Sequence, residues 1–241
     1  MANWNDPNMA ASGFGAVRTA DRAVDAGLRS YMLSVYNYMG SGVLLTGIVA
    51  MLAFNSGFTA SMVGSPLMWV VALAPLAFVM VLSFGINKLS TVAAQTIFWV
   101  YAAVMGLSMS TIFLAFTQTS IAQTFFATAA AFLGLSLYGY TTKKDLSGFG
   151  TFLIMGVVGL LVASLINLFL RSSAMDMVIS FIGVLVFAGL TAYDTQKIKS
   201  IYAHVAGTDM MGKSVVMGAL NLYLDFINMF LFLLRFMGNR D

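Results

Sequence analysis

The chain has 241 residues, 60% of them hydrophobic and 9% charged, with a formal net charge of +3. About a quarter of the residues of a soluble domain are charged, so this composition excludes a water-soluble globule and defines a polytopic membrane protein, as does a mean hydropathy of +0.89. With no cysteine, no glutamate and a single histidine, His204, disulfides, thiolate chemistry and H-E-x-x-H metal sites are excluded, and any carboxylate chemistry falls to nine aspartates.

Residues 1–29 are polar and mixed in charge, without the apolar run after a basic start that marks a signal peptide. They are expected to form a cytoplasmic tail ahead of a membrane domain over 30–241. Within the tail, "FGAVRTADRAVDAGLRS" reads equally as an amphipathic helix on the membrane surface or as a flexible segment. Seven apolar runs follow, about Ser30–Phe54, Leu67–Asn87, Val92–Phe116, Ile121–Tyr140, Phe149–Leu170, Met175–Gln196 and Val215–Phe236. Each is near the roughly 20 residues that a helix needs to cross a bilayer, and none shows the alternation of a barrel strand. The fold class expected is therefore all-α, a seven-span helix bundle. A six-span alternative turns the last run into a re-entrant hairpin, because Asp225 lies in its middle. Gly40, Gly42 and Gly47 in the first run, and Gly148, Gly156 and Gly159 around the fifth, allow close helix packing.

Orientation follows from the basic residues. With seven spans and a cytoplasmic N-terminus, nine lie on the cytoplasmic side: Arg18, Arg22, Arg29, Lys88, Lys143, Lys144, Lys197, Lys199 and Lys213. Arg171, Arg235 and Arg240 lie outside. That bias obeys the positive-inside rule. It also reads the net positive charge as cytoplasmic loops, with no nucleic-acid partner. The longest connection, about Lys197–Ser214, contains His204, which is expected to be solvated there.

Charges inside spans are costly, about 2.5–3.5 kcal/mol at a helix centre on insertion scales, and so point to function. Asp225 lies near the middle of the seventh run. Asn221 and Asn228, one turn to either side, make a polar stripe with it, opposite apolar Leu222, Met229 and Leu233. Such a stripe faces either a functional cavity or a neighbouring helix that hydrogen-bonds it for packing. Arg235, ten residues further on, is too far for pairing within the helix and reads as snorkelling to the headgroups. Asp194 ends the sixth run in "GLTAYDTQKIK". Alone, it reads either as an interfacial partner of Lys197 or as part of a buried site. If the sixth helix continues a turn beyond Lys197, Asp194 sits deeper and meets Asp225. Two such carboxylates share a proton or a cation and titrate together. Their oxygens suit hard cations such as Ca²⁺, but two are too few for a tight cage, which fits a weak, transient site. An intramembrane aspartyl protease is disfavoured, because "LYLDFIN" lacks the Gly-x-Gly-Asp half of that pattern.

Taken together, "FLGLSLYGYTTKKDLSGFG", "GLTAYDTQKIK" and "GALNLYLDFINMFLFLLRFMG" resemble the transmembrane Bax inhibitor motif family, also called Bax inhibitor-one or YccA-like, and its bacterial members in particular. The similarity runs over nearly the whole chain from about Arg29. The resemblance implies a seven-helix bundle with the last helix central, in a bacterial inner membrane. It implies a non-enzymatic, pH-sensitive calcium leak gated by Asp194 and Asp225, with no cofactor and Ca²⁺ only as permeant ion. A supporting cation near the end of the second span is implied too, for which Lys88 in "FGINKLS" is available. The other role it implies is a non-transporting regulator of a membrane protease or a stress response, with the N-terminal segment as the interaction element.

Overall fold

A bilayer offers no water to bond with backbone amides, so each apolar run must close its hydrogen bonds internally, as a helix. The computed structural model describes the backbone over residues 7–239 and side chains over 24–239. Its helices are α1 (Pro7–Asn55), α2 (Phe58–Met62), α3 (Pro66–Gly85), α4 (Thr91–Met109), α5 (Gln118–Thr141), α6 (Ser147–Leu170), α7 (Ser173–Val205) and α8 (Met210–Met237). A 3-10 turn over Ser110–Leu114 continues α4. No strand occurs among the described residues, and seven helices, all but the short α2, carry a stretch long and apolar enough to span a membrane. The expected amphipathic tail over 1–29 lies largely outside the described side chains.

Local sequence sets the helix starts. Ser90, Thr117 and Ser172 each accept a backbone N–H three residues on, from Ala93, Ser120 and Met175, as N-cap hydroxyls do. Pro66 opens α3 behind Ser65, where its missing N–H costs nothing. Gly57 and Gly64 flank α2 at φ 78° and 82°, a region glycine enters without a Cβ penalty.

Burial defines the architecture. In its most apolar window α8 is 67% buried, against at most 39% for any other span, so the last helix is central. Around it stand α1, α4, α5 and α7, with α7 making the most extensive interface. Helices α3 and α6 lie outside this ring, α3 leaning on α4 and α6 on α7. A chain of donors ties the core: the Tyr223 hydroxyl on α8 bonds the Thr46 hydroxyl on α1 at 2.6 Å, and Thr46 donates to the Ala102 carbonyl on α4 at 2.8 Å.

The seven-span expectation holds against its six-span alternative, and one expectation is corrected. The seventh run is no re-entrant hairpin: α8 continues unbroken through Asp225 for 28 residues, about 42 Å at 1.5 Å per residue. The sixth helix does not stop at Gln196 but runs to Val205, which puts His204 in its last turn rather than in a loop. His204 is exposed there, with its ring Nδ1 3.3 Å from the Ser200 carbonyl oxygen. The apolar signal ends at Gln196 because α7 leaves the hydrocarbon, but packing carries the helix on. Ile198 is buried against Gly218 of α8, and the Tyr202 ring packs on Tyr31 of α1.

A candidate di-aspartate site in the bundle core

Helices α7 and α8 are antiparallel and joined by the four residues 206–209. Their register is fixed at two levels: a Cβ on Gly218 would touch Ile198, and one on Gly183 would meet the Phe232 ring. Counting inward from these pairs, Asp194 falls level with Asn221 and Leu222, and Asp225 with Leu190 and Thr191. The two aspartates are thus offset by about one helical turn, roughly 5.4 Å along the axis, on facing helices. Asp225 is 4% exposed and has Asp194 as its electrostatic neighbour. Its Oδ2 is buried and has no hydrogen-bond partner in the protein. Buried polar atoms are almost always partnered, so this carboxylate oxygen is an exception within the core.

The extension of α7 is what makes this geometry. It carries Asp194 eleven residues in from the helix end, about 16 Å, instead of leaving it at a frayed terminus. Asp194 is half-buried, and Lys197, one turn nearer the end, is the cation whose field acts on it. Lys197 is exposed, with its Nζ 5.8 Å from the Tyr193 ring centroid. Asn221 shares a face of α8 with Asp225 and sits level with Asp194. Asn228 does not stand free in the stripe: its Nδ2 donates to the Leu224 carbonyl of its own helix at 2.8 Å. Lys88 is exposed in the turn between α3 and α4.

Other features of the site were not anticipated. On α5, Ser120, Thr124, Thr128 and Ser136 are buried, at intervals of four or eight residues that place them on one helical face. Thr128 donates to the Thr124 carbonyl, and Thr195 of α7 donates to Ser136 at 3.4 Å. The signal was present as an i, i+4 run of small hydroxyls, hidden by their abundance in membrane helices. Gly139 of α5 sits against the Ala192 backbone, two residues before Asp194. On the far face of α8, Tyr101 packs edge-on to Tyr223 at 5.3 Å, and its buried hydroxyl has no partner.

Basic residues separate to the two ends. At one end, Lys199 donates to the Tyr140 carbonyl, Gln196 to the Lys144 carbonyl, and Lys213 to the Asn87 carbonyl. Asp145 lies there, fully exposed. Its carboxyl is held below the usual carboxylate range by hydrogen bonds from Ser147, from the side chain and then from the backbone N–H at 2.9 Å. At the other end, Arg171 and Arg235 line one cleft. Among the described residues no three His, Cys, Asp or Glu side chains gather into a metal-holding group.

A central apolar helix wrapped by α1, α4, α5 and α7 defines an integral α-helical membrane protein. The sequence model described as Inhibitor of apoptosis-promoting Bax1 matches residues 28–241, and the chain belongs to this family, the Bax inhibitor-1/YccA-like proteins. It is similar to the inner membrane protein YbhL of Escherichia coli K12, 48% identical over 219 residues, 89% of this chain and 94% of that protein. It is also similar to protein RP147 of Rickettsia prowazekii, 46% identical over 231 residues, 91% of this chain and 94% of that protein. A membrane protein of Streptococcus pyogenes serotype M3, SpyM3_0260, is 41% identical over 221 residues, 90% and 96% of the two chains.

Proposed function

We propose that the protein is a pH-sensitive cation leak, with Ca²⁺ as the permeant ion, in which the protonation state of Asp194 and Asp225 sets whether the path conducts. The observation that carries this reading is the buried, unpartnered Oδ2 of Asp225, with Asp194 as its electrostatic neighbour on α7. Two carboxyls in low dielectric do not ionise independently, so the pair exchanges a shared proton for a cation as pH changes. Two carboxylates hold Ca²⁺ weakly, and a permeant ion must also leave. The reading involves no catalysis and no resident cofactor; its partners are the bilayer, protons and Ca²⁺. The site would lie in a cytoplasmic membrane such as the one YbhL is named for. The end bearing Lys88, Lys143, Lys144, Lys197, Lys199 and Lys213 would face the cytoplasm by the positive-inside rule, with the N-terminus inside and the C-terminus outside.

Calcium flux into proteoliposomes across a pH series tests it. Wild-type flux is expected to change with pH, and Asp194→Asn to flatten that profile; an unaltered profile in Asp194→Asn overturns the reading. Asp145 supplies the control. Its lowered carboxyl is already ionised above its unfolded value, and whatever it contributes to the start of α6 is lost only in acid, as pH falls through the folded value. Asp145→Asn is therefore expected to keep the wild-type profile through the neutral range.

A second reading is a regulator of a membrane protease or stress response that transports nothing. It is favoured by α1, which begins at Pro7, well ahead of the first apolar run. Removing residues 1–23 would then abolish the effect on the partner and leave any flux intact.

A further inference from the structure

Helix α6 packs chiefly on α7, which leaves a cleft between α6 and the end of the central helix α8. Two adjoining cavities of about 670 and 440 Å³ occupy it and share Asn167, Arg171, Asp176 and Arg235. The lining divides by chemistry. Leu161, Leu165 and Leu168 of α6, all exposed, and buried Ile179 of α7 form an apolar wall within membrane-spanning helices. Arg171 and Arg235 stand at the mouth, both exposed.

The mouth is built with care for a cation. Arg171 caps α6 at φ 50° and ψ 36°, the one non-glycine residue with positive φ among those described. Glycine is the residue that this backbone favours, yet the position carries a guanidinium. Asn167 holds the turn from both sides: its carbonyl accepts the Arg171 N–H at 2.8 Å, and its Oδ1 accepts the Ser172 N–H at 3.0 Å. Asp176 is in the cleft and already engaged; one carboxylate does not neutralise two guanidiniums. Arginine forks match phosphate oxygens in pairs. An exposed apolar wall beside two arginines fits a lipid better than a free phosphate.

We propose that this cleft binds a phospholipid of the leaflet in which α6 and α8 end. Its phosphate lies between Arg171 and Arg235, and an acyl chain lies along Leu161, Leu165 and Leu168, wedging the peripheral α6 against the core. This site is separate from the di-aspartate pair and does not depend on its role.

The test uses the full chain, delipidated in detergent, with thermal unfolding and native mass spectrometry as readouts. Phosphatidylglycerol is expected to raise Tm and to remain as a one-to-one adduct. Diacylglycerol with the same chains, and inorganic phosphate, are expected to do neither. Arg235→Gln should weaken lipid binding by about tenfold or more. Arg171→Gly guards against misfolding: it relaxes the backbone, so lipid-free Tm should be equal or higher while the lipid-induced rise is lost. Lys143→Gln, at the opposite end, should bind as wild type. Undiminished phosphatidylglycerol binding by Arg171→Gly and Arg235→Gln overturns the proposal. So does equal binding of diacylglycerol, or a full effect from inorganic phosphate alone.

Discussion

In Asp225→Asn, calcium flux is expected to lose its dependence on pH, the change between acidic and alkaline buffer falling to within about twofold. Asparagine is nearly isosteric, so the buried site keeps its shape, and the amide satisfies itself more cheaply than a carboxylate at the centre of a helix, where a charge costs about 2.5–3.5 kcal/mol or more. Thermal stability should therefore hold or rise while the pH response disappears, a split that a purely structural aspartate would not give. Asp194 then titrates without a partner carboxyl, and any residual response should follow a single shallow step. Proteoliposome flux measured beside detergent-solubilised Tm checks both halves. A variant with wild-type flux and wild-type pH profile would remove Asp225 from gating.

Gly139→Ala is expected to destabilise the bundle by about 1–3 kcal/mol, the range seen when a well-packed interface is overfilled. A Cβ there would overlap the Ala192 carbonyl and its backbone. Backbone cannot rotate away as a side chain does, so α5 and α7 must separate. That shift reaches Asp194, two residues further along α7, so the pH profile should change with stability. Gly134→Ala on the same helix has nothing within 4 Å of the new Cβ. It removes only glycine's helix penalty and should be neutral or stabilising by up to about 1 kcal/mol. Unfolding of the two variants in one detergent decides it; equal effects would mean that the α5–α7 approach is looser than its geometry.

The spans and the two intramembrane aspartates were legible because a bilayer imposes a long apolar run and a steep penalty on charge. The end of α7 was not, since hydropathy reports the hydrocarbon boundary and the last turns are held instead by Ile198 and Tyr202 packing on α8 and α1. The stripe Asn221–Asp225–Asn228 was read correctly as a period but not in its bonding, because the turn of Asn228 back onto Leu224 depends on rotamer choice. Glycines show the same limit. Of the six noted in sequence, Gly42 meets the Phe98 ring and Gly156 meets Val186, while Gly40, Gly47, Gly148 and Gly159 face open space. The tight approaches at Gly27, Gly139 and Gly150 depend on which helices become neighbours, and no single run of residues encodes that. Likewise Lys88 looked available by position, but it is exposed in the α3–α4 turn, where Lys213 of α8 bonds the neighbouring Asn87 carbonyl.

Whether Asp194 and Asp225 share a proton is tested most directly by infrared difference spectroscopy of the protonated-carboxyl band, followed through a pH titration of wild type, Asp194→Asn and Asp225→Asn. A coupled pair predicts two steps in wild type, and in each variant a single step whose midpoint matches neither of them. If each variant simply deletes one wild-type step and leaves the other where it was, the carboxyls ionise independently, and the shared-proton switch is contradicted.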